Sequence, residues 1–499
     1  MSFNVLMDDW IPVRDQDGIH DMSILQVLEH APEYLEIVDA SPQYEFGIYR
    51  MLFAFLMDAY RPAGEWEIKR ILKKGCFDME KISNYIAECN LNGERFDLFD
   101  QEHPFLQIPL KEWENAEGVP VANMINFRPH GNNHIHFDHT LDREQVIDYK
   151  EAAKLLCSLS LFCTSMAQEY PSTVNGAPST YCLVKGENLF ETLVYGMVPS
   201  GNYENYADPP AIWHDNQKVE AKRKVAISSV LYLLTFPCRR VTLKPESDNK
   251  VREIHFGQGM NFVGYESFRD PYVSYLRSDK GQFALKPQVA KEAWRNIGTI
   301  MDCHAKTAPT VVQQFLKLTE RVNVSVNLYE VVTEKAAYYD ERKNLLEVPQ
   351  RILRDSIRFN VMQKSVACAE DLSIKLESIC KRLADRLNRL DKDKKMKSAI
   401  LTQCREAKKR FLAAARDKFF SELLGELNTD QPDNENIDKE WRKQMFIRCM
   451  QEYDYFADTV CSNSYMLTNA VEVKQDFLRS LSKKKEDKQN VQEREKNED

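Results

Sequence analysis

The stretch N-V-S-V-N-L-Y-E-V-V-T-E-K-A-A-Y-Y-D-E-R-K-N-L-L-E-V-P spans residues 323–349 and separates two kinds of chain. Asn323–Tyr329 alternates apolar and polar residues as a half-buried strand does. Val331–Asn344 is a charged segment with Lys335-Ala336-Ala337 at its centre. Beyond Val348-Pro349 the pattern turns almost wholly helical. Arg354–Arg389, Lys394–Gly425, Ile437–Asn463 and Tyr465–Leu481 are four long amphipathic runs on short or moderate links. Adjacent antiparallel helices on such links make a four-helix bundle. Upstream, helical and strand-like segments mix. The fold class expected is therefore α+β, with a large mixed domain over 1–348 and a four-helix bundle over 349–482. The mixed-charge tail 483–499 has the composition of a disordered segment.

A length of 499 residues is too great for one core, and 43% hydrophobic with 29% charged residues is ordinary for a soluble protein. No stretch approaches about eighteen uncharged apolar residues, so no membrane helix is expected. The first residues, M-S-F-N-V-L-M-D-D, lack a basic region followed by an apolar one, so no signal peptide is expected. Twelve cysteines are scattered without a single C-x-x-C, which suits reduced, mostly buried thiols in the cytoplasm. The net charge of −9 disfavours autonomous binding to nucleic acid.

Ahead of residue 323, Phe3–Val13 reads as a strand and Ser23–His30 as a short helix. Glu45–Tyr60 is an apolar helix whose Met and Phe stripe suits a core. Tyr149–Glu169 reads as a helix, with Asp142 and Gln145 as a capping pair before it. Tyr181–Lys185 reads as a strand, Asn188–Val198 as a helix, and Ala226–Leu243 as a helix broken at Pro237 and then a strand. Lys286–Ile300 and Val311–Val322 read as helical. Ser172–Thr180, S-T-V-N-G-A-P-S-T, is a small-residue loop without the G-K-[ST] of a phosphate-binding loop. Its Asn175-Gly176-Ala177 offers a place where another backbone can come close.

A His-rich polar loop is Pro129–Asp142, P-H-G-N-N-H-I-H-F-D-H-T-L-D, with four of the chain's ten histidines. It reads three ways. A His-rich surface loop is the plainest. His134, His136, Asp138 and His139 spell H-x-H-x-D-H, similar to the signature of metallo-β-lactamase-like hydrolases, in which imidazole and carboxylate hold zinc that activates water. There, distant ligands would have to come from His214, Asp215 and His255. Asn133, the histidines and Phe137 also suit a nucleic-acid contact, Phe137 by stacking on a base. A basic stretch, Lys381–Lys397, is either a solvated helix corner or a phosphate-contacting patch.

Five segments in order resemble the CasA family, the large subunit of the type I-E CRISPR surveillance complex Cascade: N-V-L-M-D-D-W-I-P-V (4–13), H-P-F-L-Q (103–107), G-N-N-H-I-H-F-D-H (131–139), Y-L-L-T-F-P-C-R-R-V-T-L (232–243) and F-R-D-P-Y-V-S-Y (268–275). The resemblance covers roughly 3–480 and implies a non-enzymatic subunit with no cofactor and no metal. It would recognise the PAM, the short motif beside the target in double-stranded DNA, help open the duplex and recruit the helicase-nuclease. Asn133, Phe137 and Asp138 fall in a loop that docks onto the other Cascade subunits near the guide RNA. Asn175, Gly176 and Ala177 fall in a loop facing the PAM minor groove, and Lys335 and Ala336 at a hairpin that wedges into the duplex. The best-known member of the family has glutamine at the wedge, where this chain has Lys335, and the family's loop is richer in glycine. The metallohydrolase remains the alternative.

Overall fold

The computed structural model describes residues 2–91, 95–113, 117–128, 145–164, 173–214, 218–263, 268–279, 281–334, 337–390 and 394–479. The chain divides into two compact units, Met1–Gln350 and Arg351–Asp499.

The first unit begins with β1 (Ile11–Arg14), β2 (Ile19–Met22), α1 (Ile24–Glu29) and β3 (Glu36–Ile37), with β1 between its two antiparallel neighbours. The strand expected over Phe3–Val13 is confined to its end. Residues 4–8 turn instead: Asn4 Oδ1 accepts from the Leu6 N–H, and Asp8 Oδ2 from the Asn4 N–H. Short Asn and Asp side chains compete with the ladder for backbone donors in this way.

The core of this unit is wrapped around α2 (Pro42–Tyr60). Ser41 and Pro42 start the helix, and Arg61 ends it in the left-handed region at φ 43°. Sixteen of its nineteen residues are buried, as befits a helix that is hydrophobic all round. Gly47 is needed for closeness: a Cβ there would lie 2.9 Å from the Ser158 backbone nitrogen of the neighbouring helix. Then follow α3 (Glu65–Lys74), α4 (Met79–Glu88), β4 (Val119–Pro120), β5 (Ile147–Asp148), α5 (Tyr149–Phe162), β6 (Tyr181–Val184) and α6 (Leu189–Gly196). The N-cap of α5 is Asp148, which accepts from the Glu151 N–H, so the pair Asp142 and Gln145 does not start it. The helix stops at Phe162, where Cys163 turns extended, rather than running on to Glu169.

Next are β7 (Lys224–Ala226), α7 (Val230–Thr235), β8 (Arg239–Pro245), β9 (Lys250–Gln258), β10 (Asn261–Val263), β11 (Tyr275–Ser278), β12 (Gly281–Ala284), α8 (Ile297–Ile300) and α9 (Thr310–Leu318). Strand β9 is the hub of a four-stranded sheet with β4, β5 and β8. The segment 331–344, charged in sequence, completes the longest hairpin among the described residues. Here β13 (Asn323–Glu334) runs antiparallel to β14 (Ala337–Pro349), and β6 pairs on the far side of β13. As an edge strand β14 carries Asp340, Glu341, Arg342, Lys343 and Glu347, charges that discourage pairing with a foreign strand.

A short α10 (Gln350–Arg354) leads into the second unit. There α11 (Ser356–Leu390), α12 (Lys394–Lys418), α13 (Leu424–Leu427), α14 (Asn434–Val460) and the helix 464–479 form the four-helix bundle, α12 joining α13 through a π-turn over Phe419–Leu423. Its core takes Leu376, Leu383, Phe411, Met445 and Phe456. Arg358 closes the α13–α14 link by donating to the carbonyls of Leu427, Thr429 and Asp430, groups that a helix end leaves unsatisfied. All twelve cysteines are free thiols, seven of them buried. No helix among the described residues is long and apolar enough to cross a membrane.

Candidate nucleic-acid interface

Register places two of the sequence-chosen elements together. Tyr181 at the start of β6 pairs with Tyr329 in β13, and the two strands are antiparallel. Going back from Tyr181 towards Gly176 therefore leads the same way as going forward from Tyr329 towards Glu334. The loop 173–180 and the free end of the hairpin leave the sheet at one end. Lys335 and Ala336, which follow Glu334 in sequence, lie outside the described residues. So does the whole loop 129–144, with Asn133, Phe137, Asp138 and the H-x-H-x-D-H histidines.

The loop is a tight turn. The Gly176 N–H donates to Thr173 O at 3.0 Å, and Gly176 adopts φ +88°. A Cβ at Gly176 would meet no atom within 4 Å, so glycine is required by the backbone angle and not by packing. Ala177 is half-buried beside it. Asn175 points the other way. It is 3% exposed, and its Nδ2 donates to Asp270 Oδ2 (3.2 Å) and Tyr181 OH (3.3 Å), while Oδ1 accepts from Tyr275 OH (3.0 Å). Because Asp270 can only accept, the amide orientation follows from the network.

Beneath the loop lies a charge. Arg50 of α2 sits 2.7 Å from Asp270 Oδ2, with side-chain exposures of 2% and 0%. The other Arg50 nitrogens donate to Leu233 O and Leu234 O at the end of α7, and the guanidinium lies 5.8–5.9 Å from the ring centres of Tyr272 and Tyr181. The Tyr272 N–H donates to Asp270 Oδ1. Phe46 stacks on Tyr181 at 4.9 Å, and Phe53 on Tyr272 at 5.0 Å. The loop thus stands on an aromatic core that encloses one ion pair.

The hairpin is held as firmly along the middle of its ladder. Glu45 Oε1 accepts from Tyr329 OH (2.5 Å) and Lys343 Nζ (2.7 Å). Glu341 Oε2 accepts from Ser41 Oγ (3.0 Å) and Gln43 Nε2 (2.7 Å). Burial raises the pKa of Glu45, an effect that Lys343 partly offsets, and burial likewise raises that of Glu341. Loop and hairpin also meet directly, Thr180 Oγ1 donating to Glu330 Oε1 at 2.7 Å.

Glu330 yields a prediction. It is 2% exposed, its Oε2 has no hydrogen-bond partner among the described residues, and burial raises its pKa. A carboxyl held above its unfolded pKa binds its proton more tightly in the folded state. Stability is then lost as pH rises from the unfolded value through the folded one. Glu330→Gln removes the buried charge but keeps the acceptor for Thr180. It is expected to raise the thermal midpoint by about 2–4 °C at pH 8, corresponding to roughly 1 kcal/mol, with a smaller gain at pH 4.5. Scans at the two pH values check this, and a gain larger at pH 4.5 contradicts it.

Arg50, Asp270, Tyr275, Thr180 and Glu330 are site residues that sequence reading missed. Arg50 carried a signal as a lone charge in an otherwise apolar stripe, for which a buried partner is the usual requirement, and Asp270 and Tyr275 lie in the 268–275 segment that carried the resemblance without being given a role.

Among the described residues the metal reading finds no support, and Asp215, one of its distant ligands, lies outside them. His214 Nε2 lies 2.5 Å from Asp58 Oδ2, which also accepts from Tyr85 OH, and the His255 ring lies 5.5 Å from Trp113. Among the described residues no group of three His, Cys, Asp or Glu could hold a metal ion.

The model of the family CRISPR-associated protein Cse1 matches residues 4–450. A CasA/Cse1 protein of Thermus thermophilus is 26% identical over 403 residues, covering 77% of this chain and 78% of the relative. A crystal structure of Thermus thermophilus CasA superposes with a TM-score of 0.78 at 19% identity, over 97% of this chain and 100% of the other. Cse1 of Thermobifida fusca gives 0.73 at 19% identity, over 96% and 97%. A chain of a CRISPR RNA-guided surveillance complex gives 0.75 at 18% identity, over 96% and 99%. Nothing in these matches supports a metallohydrolase on His134, His136, Asp138 and His139, and that reading is withdrawn. With the family model spanning nine-tenths of its length, the chain belongs to the CRISPR-associated Cse1 (CasA) family, which is non-catalytic.

Proposed function

We propose that the chain is the subunit of a type I-E, RNA-guided surveillance complex that recognises the PAM in double-stranded DNA, helps open the duplex and recruits the helicase-nuclease. The observation that carries this reading is the shared sheet end, where the 173–180 loop and the hairpin leave side by side. A backbone loop beside a rigid projection suits a minor groove, which offers few distinctive groups to side chains but admits wedges that unstack a base step. Gly176 and Ala177 then face the groove, while Lys335 and Ala336 enter the duplex next to it. A net charge of −9 fits a subunit whose partners supply the attraction for DNA.

Assembly is assigned to the loop with Asn133, Phe137 and Asp138, docked near the guide RNA. Phe137→Ala is expected to weaken retention on the guide-RNA complex about tenfold, a typical cost for losing one stacked ring, with an unchanged circular dichroism spectrum. Unchanged retention removes the docking role. The function as a whole is tested by co-purifying the chain with a guide-RNA complex and selecting from a library of target duplexes with a randomised flanking motif. Enrichment of one motif that disappears when the chain is omitted supports the reading, and equal recovery of all motifs refutes it.

A further inference from the structure

Asn175 was chosen from the sequence as a residue that touches DNA, yet its amide is buried and engaged within the protein. Both Nδ2 hydrogens are taken, by Asp270 and Tyr181, and Oδ1 is taken by Tyr275. The partners come from separate stretches of chain and are themselves tied together. Tyr275 OH accepts from the Asp270 N–H at 2.9 Å while donating to Asn175, so a single hydroxyl bridges the loop and the 268–275 segment. Asp270 is in turn held by Arg50 and by the Tyr272 N–H. Asn175 directly precedes Gly176, whose Cα faces open space.

We infer that Asn175 is a positioning residue and that the Asn175–Asp270–Tyr275 clamp sets the height and orientation of the Gly176–Ala177 backbone from which PAM discrimination comes. The inference rests on the assignment of the 173–180 loop to the PAM. Its physical content is preorganisation. A tight turn lying against a groove must be ordered before it can discriminate, and the clamp does that ordering in the free protein. Asp270 and Tyr275 then control specificity from beneath the surface, without touching nucleic acid.

The test uses the full chain assembled with its guide-RNA complex and three DNA probes: a duplex with the selected motif, the same duplex with the motif scrambled, and the target strand alone. The quantity read is the ratio of affinities for the first two. Asn175→Ala and Tyr275→Phe are each expected to lower this ratio about tenfold, with affinity for the single strand held within about twofold. A purely structural role would instead weaken all three probes together, in step with the thermal midpoint, and that result overturns the inference. Should Asn175→Ala fail to fold, Tyr275→Phe decides, since it keeps the ring and removes only the bridging hydroxyl. Gly176→Val forms a separate arm that disturbs the exposed turn directly. A ratio lowered by Gly176→Val but untouched by the two clamp variants overturns the inference and leaves the loop assignment standing. A ratio untouched by all three variants removes the loop from PAM reading altogether.

Discussion

Replacing Arg50 by methionine is expected to lower the thermal midpoint of the first unit by on the order of 10 °C, the largest stability effect anticipated for a single conservative-sized change. Methionine fills much of the arginine volume, so cavity formation contributes little. What remains is Asp270, a carboxylate with no exposed side-chain surface, stripped of its counter-charge. Breaking a buried pair from one side costs about 3–5 kcal/mol, because the surviving ion stays desolvated. Removing both charges is far milder. Arg50→Met combined with Asp270→Asn is expected to recover part of the loss: the buried charge is gone and an asparagine oxygen can still accept from the Tyr272 N–H, while its NH2 group then faces the Asn175 Nδ2 donor where an acceptor stood. A double-mutant cycle on thermal or urea midpoints measures the coupling. Additive losses in the double variant would show that the two residues act separately.

Lys335 carries the second large effect, on function. A wedge must unstack a base step at a cost of a few kcal/mol, and each 1.4 kcal/mol is a factor of about ten in equilibrium. On the proposed reading, Lys335→Ala lowers R-loop formation on an intact linear duplex about tenfold or more and leaves a pre-melted bubble nearly unaffected. Lysine brings an aliphatic stem and a charge that reaches phosphate, whereas glutamine fills the stack and offers hydrogen bonds without a charge. Lys335→Gln should therefore reduce the salt dependence of binding by roughly one unit of slope while retaining part of the opening activity. An equal response of duplex and bubble moves the wedge to Ala336 or removes it from this segment.

How far the site could be read in advance depends on the distance over which each feature is encoded. Helix α2 was legible because a continuous apolar run needs no partner to declare itself, although the helix starts at Pro42, ahead of the Glu45 expected. The first strand of the hairpin was legible for a similar reason, with Val324, Val326 and Leu328 alternating with polar residues. Its partner β14 was not. An edge strand keeps charges on both faces, and Asp340-Glu341-Arg342-Lys343 therefore looks like a solvated segment until the ladder is seen. The bundle showed in its helical periodicity, and its members fall within a few residues of the expected limits. The clamp was out of reach, because Arg50, Asn175 and Asp270 lie in three separate stretches and no local pattern links them. Asn175 illustrates the consequence: the resemblance placed it in a loop facing the PAM, and only the fold shows that its amide is already engaged.

One consequence concerns the order in which the chain is made. Helix α2 emerges near the start of synthesis, but two of the groups that cover it, Tyr329 and Lys343, belong to the hairpin that ends the first unit. At about 5–20 residues per second the ribosome needs roughly 15–60 s to pass from Tyr60 to Pro349. Throughout that interval Phe46 and Glu45 lack their partners Tyr329 and Lys343, so this apolar stretch is expected to stay incompletely covered while the rest of the unit is made. A fragment that ends before Asn323 has the same incomplete core permanently, and expression trials of N-terminal pieces should be laid out accordingly.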